Sequence, residues 1–139
     1  MRKVRAALMQ EALTVLTPLL PVENIVAENM ERPNVSNDWV ELNFKPGNRE
    51  VRSLGSSGQD ILTGVLFVGV HSPLDDGTAF GISVVDAFET HFTAGKRIIF
   101  EGQEVHIRSV SANMGRILNT WSRSDIMVSW EAYLTRGVA

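Results

Sequence analysis

Asp60–Thr78 reads DILTGVLFVGVHSPLDDGT, and the reading of the fold turns on this stretch. From Ile61 to Val70 it is an almost continuous apolar run, with Leu62, Leu66, Val68 and Val70 on one side and Ile61, Val65 and Phe67 on the other. A strand apolar on both sides is normally covered on both, which predicts a central strand. Ser72-Pro73 stops it, because proline has no N–H to donate, and Asp75-Asp76-Gly77 turns the chain. Asp76 or Thr78 can cap the next segment, where Ile82, Val85, Phe88 and Phe92 recur at helical spacing. The unit is strand, tight turn, helix.

Upstream, Arg2 to Thr17 carries Val4, Leu8, Ala12 and Val15 on one helical stripe, and Pro18 and Pro21 end it. Arg2, Lys3 and Arg5 sit at the unfavourable end of that helix dipole, at a cost on the order of a few tenths of a kcal/mol each. They face either a partner or simply solvent, and a solvated end is the first reading. Ile25–Glu28 is a candidate short strand and Asn29–Asp38 a loop. Trp39–Lys45 alternates, with Val40, Leu42 and Phe44 inward and Trp39 on the polar side, and Pro46-Gly47-Asn48 is expected to turn it. Arg49–Leu54 continues as extended chain before Gly55-Ser56-Ser57-Gly58, which reads as a flexible, mobile tip.

Downstream, Gly95 is placed to end the helix, and Lys96–Phe100 and Val105–Ser111 flank the short connection Glu101–Glu104. Asn113-Met114-Gly115 should break the second arm, leaving Trp121 in a loop with Ile117 and Leu118. Ile126–Leu134 then alternates Ile126, Val128, Trp130, Ala132 and Leu134 against polar neighbours, the clearest period-2 signal in the chain. The fold class is therefore α+β: a mostly antiparallel sheet of about five or six strands with two main helices packed on one face, as a single domain over 1–139.

The totals narrow the function. The 139 residues carry 13 cations and 16 carboxylates, a net charge of −3 with no clustered basic face of the kind that reads DNA. The absence of cysteine removes disulfides, thiolate metal sites and cysteine nucleophiles. Gln10 and Glu11 interrupt the only stretch resembling a leader, so the chain is read as starting at Met1 and staying in the cytoplasm. His71, His91 and His106 share no metal-binding spacing. His71 beside Asp75 and Asp76 could form an acid–base or oxygen-ligand cluster, but Asp-Asp-Gly is first a turn. Gly55-Ser-Ser-Gly58 lacks the lysine and the context of a phosphate loop, and no G-x-S-x-G elbow is present. Trp39 and Trp121, off the periodic core positions, are candidate interface anchors; a satellite cluster under a loop is the other reading.

The order of these pieces carries a resemblance. The strand WVELNF, the arginine-bearing Arg49–Arg52, the passage GVLFVGVHSP followed by an Ala/Val/Phe helix, a hairpin and the terminal VSWEAY strand together resemble the tail terminator, or tail completion, proteins of long-tailed bacteriophages, over Trp39 to Tyr133. The resemblance implies a virion structural protein at the head-proximal end of the tail, assembled in the bacterial cytoplasm. It implies a homomeric ring, expected to be a hexamer, that stops tail-tube polymerisation and meets the tube protein and the head–tail connector. DNA would pass through the lumen without specific binding, with no catalysis and no cofactor. Lys45–Gln59 and Ser111–Arg123 are the segments expected to order on assembly, with Arg49, Arg52, Arg116, Trp121 and Trp39 as contact residues. The alternatives are a head-closure or connector protein of the neck, a small enzyme using His71 with Asp75, and a small cellular interaction domain.

Overall fold

The computed structural model describes residues 1–28, 37–73, 79–118 and 121–136, the side chains of 115–118 excepted. Helix α1 spans Arg2–Leu16, a 3₁₀ turn Val22–Asn24, strand β1 Ile25–Ala27, β2 Trp39–Val51 and β3 Gln59–Pro73. Helix α2 spans Ala79–His91, and β4 Arg97–Phe100, β5 Gln103–Leu118 and β6 Trp121–Thr135 follow. The strands form one sheet in the order β1-β2-β3-β6-β5-β4, antiparallel throughout except for β1, which runs parallel to β2. The architecture is α+β, as the periodicity requires.

The Asp60–Thr78 stretch supplies the centre. β3 pairs with β6 along their whole length, from Gln59↔Thr135 to Pro73↔Trp121, and with β2 on its other side. Leu62, Leu66, Val68 and Val70 are buried against Ile126, Val128, Trp130 and Ala132 of β6, with α1 contributing Val4, Leu8, Ala12 and Leu16 and α2 contributing Val84, Val85 and Phe88. Each such fully buried aliphatic side chain favours the fold by about 1.5–3 kcal/mol relative to exposure. The expectation that β3 is covered on both faces needs correction. Ile61, Val65 and Phe67 on the far side are only half-buried. Both helices bury their apolar stripes in the one core cluster, and an antiparallel sheet tolerates an uncovered second face.

Three turn expectations also change. Pro46-Gly47-Asn48 does not reverse the chain; β2 runs through it to Val51, with a register shift between Pro46 and Arg49. Beyond Leu42 no described strand lies on that side of β2, so the proline's missing donor and the bulge sit at an edge that accommodates both. Asn113-Met114-Gly115 is likewise an irregularity inside β5, between the pairs Asn113↔Asp125 and Arg116↔Arg123, and the strand continues to Leu118. Trp121 therefore opens β6 and does not lie in a loop. The β4–β5 connection is tighter than Glu101–Glu104: Phe100 pairs with Gln103, and the two intervening residues, Glu101 (φ 48) and Gly102 (φ 82), both take the left-handed conformation that a two-residue hairpin of type I′ requires.

Candidate assembly surfaces

Two ends of the sheet carry the side chains that the sequence singles out. At the first, β2 and β3 project as a hairpin whose connection is held from beneath by Arg136, just past β6. Its guanidinium donates to Gly55 O at 2.7 Å, to Gln59 O at 3.3 Å, to Ser53 O and to Asp60 Oδ1. Arg49 Nε donates to the other Asp60 oxygen at 2.9 Å. Main-chain bonds complete the connection, with Arg52 N and Ser53 N both donating to Gln59 O and Arg136 N to Gly58 O at 2.8 Å. Burial by itself would raise the Asp60 carboxyl; the hydrogen bonds and charges of Arg49 and Arg136 outweigh it and hold the group below the ordinary carboxylate range. The segment read as a mobile tip is thus densely bonded. It presents Leu54, 91% exposed, and Val51, 64% exposed.

At the opposite end of the sheet, on the face away from the helices, Trp39, Trp121 and Val26 form a second small apolar cluster. The tryptophans are not the exposed anchors their positions suggested: Trp39 is 5% and Trp121 7% exposed, and their rings meet edge to face at 6.3 Å. His71 lies flat on Trp39, centroids 3.8 Å apart, and is only 4% exposed. Its Nε2 is 3.4 Å from Glu41 Oε1, and its buried Nδ1 has no hydrogen-bond partner among the described residues. Arg123 bridges Glu41 at 3.1 Å and Asp125 at 2.7 Å. Gly69 makes room for this: a Cβ there would meet Glu41 Oε1 at 2.9 Å and Arg123 at 3.1 Å. The bond from His71, with the Arg123 charge beside it, holds the Glu41 carboxyl below its ordinary range against the effect of burial.

The sequence-derived contact residues therefore separate. Arg49 is committed to Asp60. Arg52 is exposed and lies 4.4 Å over the Tyr133 ring. Arg116 pairs across the hairpin with Arg123 through its backbone, and its side chain lies outside the described residues. Asp75 and Asp76 also lie outside them, while His71, buried against Trp39, offers no open approach to a substrate. His91 is bonded to Glu11, tying α2 to α1, and His106 is 3.3 Å from Glu104. The Arg136 clamp and the Arg123–Glu41–His71 network had no local sequence signal, because each joins residues from separate strands.

Between the start of α1, the β4–β5 turn and the end of β6 lies a cleft of about 530 Å³ lined by Arg2, Lys3, Arg49, Glu101, Glu104 and Tyr133. Its charges largely answer one another, with Arg2 3.5 Å from Glu101. Among the described residues no group of three or more His, Asp or Glu side chains is placed to hold a metal, and no helix is long and apolar enough to cross a membrane.

No curated protein matches the chain. Among solved structures, one superposes with a TM-score of 0.74 over 94% of this chain and 94% of its own, at 18% identity, a likeness that speaks to the fold alone. A family model described as "Phage tail terminator protein" matches residues 3–130, which takes in both helices and nearly all of the sheet. The chain belongs to the phage tail terminator protein family, and its role is a structural one in a phage tail.

Proposed function

We propose that this chain caps the head-proximal end of the tail tube as a closed ring of identical subunits, six in number. The ring ends tube polymerisation and offers its other side to the head–tail connector, with DNA passing through the lumen. The observation that carries this reading is the family match over residues 3–130. Two features support it. The helices cover one face of the sheet only, leaving the other face and the clamped β2–β3 tip available to neighbours. The net charge of −3 suits a lumen through which DNA slides, since tight binding scales with the number of phosphates that cations neutralise.

In this reading the subunit is a single domain over 1–139. A ring subunit meets its neighbours through two different patches, and the contact closes when the rotation closes. Arg52, exposed beside Leu54, and Arg116 are the contact residues; Arg49, Trp39 and Trp121 act by holding the tip and the far end of the sheet in shape. The test is the solution mass by light scattering over a range of protein concentrations, with negative-stain images of large species. A closed species near six times the 15.4 kDa subunit mass is expected. A species that binds the portal side and ignores the tube would instead favour a head-closure protein.

A further inference from the structure

The β2–β3 tip holds exposed apolar side chains still. Leu54 is almost wholly exposed and Val51 largely so, and neither belongs to the subunit's own core. The main chain around them is fixed: Arg136 donates to Ser53 O and Gly55 O, Gly58 N donates to Gly55 O at 3.1 Å, and Gln59 N to Ser53 Oγ at 2.8 Å. An apolar anchor on a loop already fixed in shape docks without first having to be ordered, and that ordering is one of the main losses on association. The tip also carries two charges. Arg52 lies over the Tyr133 ring with no carboxylate partner among the described residues, and the exposed Glu50 has no cation there. Arg49, by contrast, is taken by Asp60.

On the helix layer a groove of about 450 Å³ runs between α1 and α2, lined by Val15, Asp86, Ala87, Thr90, His91 and Lys96. Its floor is apolar, since Val15 belongs to the core and Ala87 packs against it. His91 is bonded to Glu11, and Lys96 Nζ donates to His91 O at 2.9 Å. The exposed Asp86 has no partner among the described residues. The groove thus sets an apolar floor between an unpaired carboxylate and a lysine, and the tip sets two apolar side chains beside an unpaired arginine and a glutamate.

These two patches cannot meet within one subunit. The start of α1 shares the large cleft with Arg49 and Gln59 at the foot of the tip, whereas Val15 lies near the helix's other end, about 20 Å further on at about 1.5 Å per residue. Two separate and complementary patches on one chain are what a heterologous ring contact requires. We propose that the β2–β3 tip of one copy seats Leu54 in the α1–α2 groove of a second copy, with Arg52 against Asp86 and Glu50 towards Lys96. This rests on the ring reading above and names the surfaces that make the ring.

Exchange of charge gives the specific test. Arg52→Glu and Asp86→Arg both alter exposed side chains and should keep the wild-type circular dichroism and melting temperature. Each alone should need about tenfold more protein, or more still, to form the ring. Mixed in equal amounts, the two variants should form it at wild-type concentrations, because every junction of an alternating ring then pairs opposite charges. Single variants that assemble like wild type, or a mixture that assembles no better than either, overturn the junction and leave the ring reading standing. Wild type that forms no ring, alone or on polymerised tube, overturns both.

A second measurement covers failure of a charge variant to fold. The chain has no cysteine, so Leu54→Cys and Ala87→Cys proteins can be mixed and treated with a short bis-maleimide. Cross-links between the two variants in the assembled species are expected. Links only between two Leu54→Cys chains, or none between the unlike variants, overturn the proposal.

Discussion

Gly64 shows how closely single residues are constrained at the centre of this sheet. It faces Trp130 across β3 and β6, and a Cβ there would meet the indole Cζ2 at 2.5 Å and Lys45 O at 2.6 Å. Trp130 is fully buried and stacks on Phe44 at 5.3 Å, so neither the ring nor the strand can yield. Gly64→Val should destabilise the protein by on the order of 1–3 kcal/mol through overpacking, read as a lower melting temperature. An unchanged melting temperature would show that Trp130 repacks freely. Asp60 makes the second residue-scale prediction. Its folded-state pKa is depressed, so its contribution is full above the ordinary aspartate value of about 3.9 and is lost as pH falls through the folded value. Melting temperatures of wild type and Asp60→Asn should differ most at neutral pH and converge on acidification below about pH 4. Parallel curves would mean that the charge is not what matters there. Neither site was legible in the sequence. Gly64 looks like any glycine in a strand, and Asp60 looks like a strand flank until Arg49 and Arg136 are brought to it from 11 and 76 residues away.

Elements were readable where one face is buried and the other is not. β6 declares itself through Ile126, Val128, Trp130, Ala132 and Leu134, all buried, because a one-residue slip would turn every one of them outward. β3 was readable as central but not as half-uncovered, since an apolar run does not say which side a helix takes. The elements that were misread are those with turn-forming residues inside a strand. Pro46-Gly47 in β2 and Asn113-Met114 in β5 sit at register irregularities, where the same residues that make turns relieve pairing. The β2–β3 connection was read as mobile from its glycines and serines, whereas Arg136, distant in sequence, fastens it. Arg136→Ala should therefore leave the core intact and open the 52–58 segment to limited proteolysis. Equal protection in the two proteins would show that the main-chain bonds alone hold it.

At the scale of the whole molecule, the folded subunit is asymmetric in ways that suit a heterologous contact: helices on one face of the sheet and a clamped apolar tip at one end. The exclusions drawn from charge and cysteine content concern what the chain lacks and were available from composition alone. The contact surfaces were not, because they are made of side chains that gather only in the folded subunit. Arg52→Glu combined with Arg116→Glu should leave the melting temperature within a few degrees of wild type and weaken assembly. Normal assembly by that variant would remove these arginines from the interface.

If a ring of this chain stops the tube, it must change tube growth. Purified tube protein would be polymerised with and without the chain, and tube lengths and ends measured in negative-stain images. Shorter tubes, each bearing a sixfold ring at one end only, are expected. Tubes of unchanged length with bare ends, at concentrations where the chain is folded and in excess, would contradict it.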